Sequence, residues 1–295
     1  MKKHFSTILL CVFLLAGVGL LLYPTVSNWW NSRTQSKAIA DYDHMVEAMD
    51  EETYNRILNA AKEYNIKLKQ ENTRIHTLTK EEEKEYNSIL DLSGNGIMGT
   101  VTIPVINVEL PIYHGTTDSV LAVAIGHIPG SSMPIGGSGT HSVLSGHRGL
   151  PSARLFTDID KLAPGDTFEL RVLNELATYE VDQIRVVLPY EISELEIKLG
   201  EDQCTLVTCT PYGINTHRLL VRGHRIANDD TRVHITADAV QIEPMIIAPI
   251  VAAPIIIFLL ILVFVNSAKE KTSNKLFKEL KSDLKKDEKL LKDDF

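Results

Sequence analysis

A mainly β fold, preceded by helices and framed by two membrane spans, is what this sequence predicts. Three observations carry that expectation. Two uncharged apolar runs, residues 5–23 and 245–265, stand towards the two ends. Residues 34–93 repeat apolar side chains at three- and four-residue steps. From Ile97 onward, short β-rich runs alternate with Gly and Pro turn signals. Composition narrows the function classes. A formal net charge of -8 over 295 residues argues against a nucleic-acid binder. A hydrophobic content of 44% argues against disorder, and three cysteines argue against a disulfide-built scaffold.

The first apolar run, Phe5 to Tyr23, is long enough as a helix for a hydrocarbon core of about 30 Å. No small-x-small cleavage site follows it, which favours an uncleaved anchor over a signal peptide. Tyr23, Trp29 and Trp30 suit the interfacial aromatic belt. The second run, Met245 to Val265, contains Pro249 and Pro254, which spans tolerate better than soluble helices do. Its apolar character on every face separates it from a buried core helix. Lys2 and Lys3 precede the first span and nine lysines follow the second, so both termini are expected in the cytoplasm. The division follows: 1–4 cytoplasmic, 5–23 span, 24–95 extracellular helical segment, 96–235 β domain, 236–244 juxtamembrane linker, 245–265 span, 266–295 charged cytoplasmic tail. The expected location is the cell membrane, with the β domain outside.

Within the outer segment, Ile39, Tyr42, Met45, Met49, Ile57, Leu58 and Ala61 mark one helical face. A polar stretch from Gln70 to Glu83 reads as a connection, and Glu81 to Leu92 as a second short helix. Candidate strands are Gly99–Ile106, Ser142–Ser145, Thr167–Leu173, Thr178–Leu188, Cys204–Thr208 and Arg218–Ile226. Short helical pieces fit around Ser119–Ala124, Ser152–Leu162 and Ile192–Leu199. That spacing points to a β-barrel or a sandwich with small helices in its connections.

The chain has no Gly-rich phosphate loop, HExxH, CxxC or GxSxG, and its histidines lack metal-ligand spacing. Cys204 and Cys209 share one candidate strand, which would set them ~16 Å apart on opposite faces. That is too far for a disulfide, so two free thiols are expected. Cys209 closes the strand just before Pro211 and Gly213. A hairpin return would bring Arg218 beside it. His147, in Ser145-Gly146-His147-Arg148-Gly149, stands at another strand end. The three can therefore converge at one rim. A thiolate, an imidazole and a permanent cation in that arrangement point to covalent acyl transfer: nucleophile, proton shuttle and oxyanion or substrate donor. A buried structural Cys209 is the competing reading. His127 is the local look-alike of His147 and reads as a hydrogen-bonded loop residue. Arg148 should point to the other face of its strand.

These residues resemble the sortases, the membrane-anchored cysteine transpeptidases of Gram-positive bacteria. The TLxTC signature is matched by Thr205 to Cys209, the His of a Gly-His turn by His147, and the Arg nine beyond the Cys by Arg218. The strings Leu110-Pro111-Ile112-Tyr113-His114-Gly115, Gly146-His147-Arg148-Gly149-Leu150-Pro151 and Cys209-Thr210-Pro211-Tyr212-Gly213 resemble class C, the pilin-polymerising sortases, as does the second span. The resemblance implies an eight-stranded barrel. It implies that Cys209 attacks the Thr–Gly bond of an LPxTG-like sorting signal and forms a thioester. His147 would be acid and base, and Arg218 would hold substrate and oxyanion. Thr205, Leu206 and Thr208 are expected to contact substrate. The acceptor would be a pilin Lys amine or, in wall-anchoring sortases, a peptidoglycan amine. Water would make the enzyme a membrane-bound cysteine hydrolase. No metal or organic cofactor and no nucleic acid is implied; the partners are pilin or surface proteins and the membrane. One departure stands out. Class C lids commonly carry Asp-Pro-aromatic, and none of the 12 prolines here follows an Asp. The lid is absent or differently built.

Overall fold

The computed structural model describes residues 2–71, 78–92 and 94–228, together with Ile256, Phe258, Ile261, Phe277, Leu280 and Lys281. The second expected span lies outside the described residues except at Ile256, Phe258 and Ile261, each helical. The chain divides into two units, Met1–Leu22 with Ala237–Phe295, and Tyr23–Thr236.

Helix α1 runs over Lys2–Glu47 and includes the first apolar run. Among the described residues it is the one helix long and apolar enough to cross a membrane. The helical periodicity through Ala61 does not belong to a single helix. Asp50 interrupts it, accepting from the Thr53 amide at 2.7 Å, and α2 follows over Glu51–Glu71 with two glutamates in its first turn. A carboxylate cap and acidic first turn suit the exposed amides and positive dipole end of a new helix. Helix α3, Lys80–Ser88, starts on a capping box between Thr79 and Glu82. It is shorter than expected because Ile89 turns extended and Leu90 adopts a left-handed backbone with φ 61°.

Eight strands follow: β1 Ile97–Ile103, β2 Val108–His114, β3 Ile125–His127, β4 Thr140–Ser145, β5 Thr167–Val172, β6 Glu175–Val187, β7 Asp202–Thr210 and β8 His217–Ile226. A short helix α4, Asp118–Leu121, precedes β3. The strands close into a barrel in the order β1-β2-β3-β4-β7-β8-β6-β5, leaving no free sheet edge. The β2–β3 and β4–β7 pairs are parallel and the rest antiparallel. Two strands were not expected. Pro111 disguises β2, yet β3 pairs with β2 only from Ile112 onward, which leaves room for a residue with no N–H to give. β3 has three residues, too few for any alternation to register.

The barrel interior is filled by side chains such as Met98, Ile112, Phe156, Phe168, Tyr179 and Leu206, all fully buried. The helices are fastened to it by polar contacts at buried points. The Tyr42 hydroxyl donates to the Met98 carbonyl at 3.0 Å and accepts from the Leu173 amide at 2.8 Å. Burial pushes that phenol up to about 12. Asn65 of α2 bonds both the amide and the carbonyl of Met133.

Candidate active site

Strand register assembles the rim. In the antiparallel β7–β8 pair, Cys209 stands directly opposite Arg218. On its other side β7 runs parallel to β4, with Ser145 beside Val207. The ladder continues past β4: the Gly146 amide donates to the Val207 carbonyl at 3.0 Å, and Thr208 Oγ1 donates to the Gly146 carbonyl at 2.7 Å. His147 follows two residues beyond Ser145, the last paired position of β4. Arg218 thus flanks the thiol from one neighbouring strand, and His147 lies just past the end of β4, the neighbour on the other side. Beyond Arg218, Val187 of β6 continues the row.

The two thiols of β7 differ in setting. Cys204 is wholly buried and burial raises its thiol far above the ordinary range, so it stays protonated and inert. Cys209 is half-buried at the open strand end. No disulfide joins them; both are free. Arg218 directs Nη1 to the carbonyls of Asn215 and His217, at 3.3 and 3.1 Å. Among the described residues no carboxylate pairs with it, which leaves its charge available to a carbonyl oxygen.

The segment after β4 holds His147 by its backbone. The Phe156 amide donates to the His147 carbonyl at 3.1 Å, and the Gly149 amide donates to Thr157 Oγ1 at 3.1 Å. Arg148 Nη2 donates to Asp160 Oδ2 at 2.5 Å. Its guanidinium also lies 5.9 Å from the ring centroid of Tyr212, in the turn that follows Cys209. Gly149 has φ +75°, and a Cβ there would sit 2.5 Å from the Tyr212 ring. The turns carrying His147 and following Cys209 are therefore packed on each other, and only glycine fits at their contact.

Thr205, Leu206 and Thr208 are not on an open surface. Each is at most 1% exposed. Thr205 Oγ1 lies 2.7 Å from Nε2 of His141, whose Nδ1 donates to the Glu196 carbonyl at 3.0 Å. Thr208 is the bridge to Gly146, and Leu206 belongs to the core. The reason is that both faces of β7 are covered, one by the barrel interior and the other by the stretch bearing Leu195, which packs with Val143, Val207 and Leu220. From Gln203 to Thr208 β7 is buried throughout, and toward the rim it opens only at its last two residues. His127 is buried between the Tyr86 hydroxyl at 3.0 Å and the Ser132 carbonyl at 2.8 Å. Burial lowers it, and likewise His141, to about 4. Among the described residues no group of three His, Cys, Asp or Glu side chains gathers to hold a metal ion.

Sequence reasoning passed over Asp160 and Tyr212, which fasten the His147 turn. The signal available was Gly149, a glycine whose need becomes plain once an aromatic ring is seen against it.

Fold and site together define a class: a closed-barrel protein with a half-buried cysteine near a strand end, paired with an arginine, and a histidine just beyond the end of the adjacent strand. The family model described as the sortase domain matches residues 101–226. Sortase C1 from Streptococcus agalactiae is 55% identical, with a TM-score of 0.64, over 65% of this chain and 100% of that one. The chain belongs to the sortase family, the cysteine transpeptidases. A Clostridium perfringens sortase C solved with the C-terminal cell wall sorting motif is 41% identical, with a TM-score of 0.58, over 65% of this chain and 100% of its own. Sortase D of Bacillus subtilis (strain 168) is 30% identical over 131 residues, 43% of this chain. The chain spans 63% of that relative's length and 47% of the length of sortase A of Streptococcus agalactiae serotype III.

Proposed function

We propose that this protein cleaves an LPxTG-like sorting signal between Thr and Gly and transfers the Thr acyl group to an amine, the side chain of a pilin Lys. The observation that supports the reading is the pairing of Cys209 with Arg218 across β7–β8, with His147 two residues past the end of β4 on the other side of β7. The Cys209 thiolate attacks the Thr carbonyl carbon, and Arg218 holds the resulting oxyanion. The intermediate collapses, the C–N bond breaks, and the Gly amine leaves with a proton from His147. The thioester then meets the acceptor amine. His147 takes back a proton, a new amide forms, and the thiolate is released. Atoms and charge balance without a metal, cofactor or redox partner.

The pilin acceptor is supported by the kinship with class C structures, among them a Streptococcus pneumoniae sortase C, 40% identical, whose description concerns pilin substrate specificity. The apolar stretch of α1 supports anchoring in the cell membrane. Residues 24–244 would then lie outside the cell, with the barrel at 96–235, a second span at 245–265 and both termini in the cytoplasm.

The test uses the full chain in detergent micelles with an LPxTG-type peptide. Three arms offer a pilin Lys peptide, a cell-wall peptide amine, or no amine. Mass spectrometry should find the acyl group on Cys209, then on the Lys peptide in preference to the wall amine. Transfer to the wall amine alone would make it a wall-anchoring sortase, and release as free acid in every arm would make it a hydrolase. No acyl group on Cys209 would refute the reading.

A further inference from the structure

Three amide side chains stand on one face of α1, at helical steps: Asn28, Asn31 and Gln35. All three bond main-chain groups of the barrel's connections. Asn28 Oδ1 accepts from the Arg154 amide at 2.9 Å. Asn31 Nδ2 donates to the Ser152 carbonyl at 2.8 Å. Gln35 Nε2 donates to the Val123 carbonyl at 2.6 Å. The same stripe continues down the helix as Ala38, Tyr42 and Val46, where the contacts turn apolar. Trp29 and Trp30, between the amides in sequence, face away and are 53% and 67% exposed. Side-chain packing alone would not need amides here; they match backbone groups of an irregular segment outside the sheet ladder, which must be satisfied somewhere.

Residues 152 and 154 belong to the connection that begins at His147. That connection folds back on itself, since Phe156, two residues past Arg154, donates its amide to the His147 carbonyl. We infer that Asn28 and Asn31 are positioning residues for His147. They fasten the far limb of its loop to the helix that begins with the apolar run, only five residues past Tyr23. The catalytic unit then does not begin at the barrel. It begins on the face of α1 that leaves the apolar run, and a fragment starting at residue 34 would lack two of the three ties.

The inference rests on the acyl-transfer reading, but its chemistry is tested separately. The two ties have opposite polarity: residue 28 must accept and residue 31 must donate. Asn28→Asp keeps the acceptor, whereas Asn28→Leu removes it. Asn31→Asp replaces the donor with a carboxylate facing a carbonyl. The full chain in micelles is assayed in two ways: transfer kinetics with the LPxTG-type peptide, and the pH profile of Cys209 alkylation by iodoacetamide, read by peptide mapping. Asn28→Leu and Asn31→Asp should each lower kcat about tenfold, as misplaced catalytic groups do. KM should stay within about twofold, because only orientation is lost. Both variants should shift the alkylation profile, because the imidazole beside the thiol moves. Asn28→Asp should match the wild type. Wild-type kcat and alkylation in Asn28→Leu and Asn31→Asp would overturn the inference, as would equal loss in Asn28→Asp and Asn28→Leu. Failure of the wild type to form a thioester would sink the acyl-transfer reading instead, while the alkylation profiles still judge the ties.

Discussion

Replacing Thr208 with Val separates two roles for one residue. Valine keeps the shape of threonine and suits a strand, so what is lost is the hydroxyl. In the structure that hydroxyl is buried and donates at 2.7 Å to the carbonyl of Gly146, the residue before His147. Removing it deletes one hydrogen bond and strands a buried carbonyl, which costs about 1–3 kcal/mol. For a domain of this size each kcal/mol is worth roughly 2–4 °C in Tm, so a fall of about 2–12 °C is expected. The site should also loosen, though only in part. His147 keeps the Phe156 amide on its carbonyl, and the Gly146 amide keeps Val207. Since a full 1 Å misplacement costs about 100-fold, a kcat loss of about tenfold is the expected scale. The assay pairs thermal denaturation with transfer kinetics at varied peptide concentration. A residue that touches substrate would instead raise KM and leave Tm alone. That outcome, in the full chain, would refute the placement of Thr208 as a strut between β4 and β7.

Other outcomes follow from the same geometry. Arg148→Ala, which frees the His147 turn from both Asp160 and Tyr212, should slow transfer severalfold; Arg148→Lys should recover part, because a lysine keeps the ion pair without the planar stacking. Cys209→Ala should abolish transfer in the mass-spectrometric assay with folding intact. Arg218→Ala should cost on the order of 10² to 10³ in kcat by loss of an oxyanion donor, and a near-normal rate would remove it from the mechanism. Acid should weaken the fold through His127 and His141. Each is held neutral at about 4 in the folded chain against an ordinary 6.5, so the unfolded chain binds more protons between those values. Their contribution is complete above pH 6.5 and drains away as pH falls to about 4, by roughly 3 kcal/mol each. Denaturant midpoints measured across that window should flatten in His127→Gln and His141→Gln relative to the wild type.

How much was legible in the sequence depends on whether a feature is local. The strand end at Cys209, the Gly-His turn and the Arg opening the next apolar run can all be read along the chain. Bringing the Arg beside the Cys needed only a hairpin return, and the β7–β8 register supplies one. The strand β2 was hidden by Pro111, because a proline argues against a strand unless one knows where its neighbour begins to pair. The break at Asp50 was hidden by apolar spacing that continues across it, although a carboxylate followed by two glutamates was a cap signal in plain view. The substrate role expected for Thr205, Leu206 and Thr208 assumed that one face of β7 is open. That depends on what lies across it, which no periodicity records.

The amino-acid order by itself determined the chemistry on offer and the apolar length of α1, because residue type, strand ends and apolar runs are properties of short contiguous segments. The tertiary structure alone decided which thiol is sealed in the core, which threonines are struts, and that amides in the second half of α1 reach a loop over a hundred residues away. Burial and register are set by partners distant in the chain, and only closing the barrel brings those partners together.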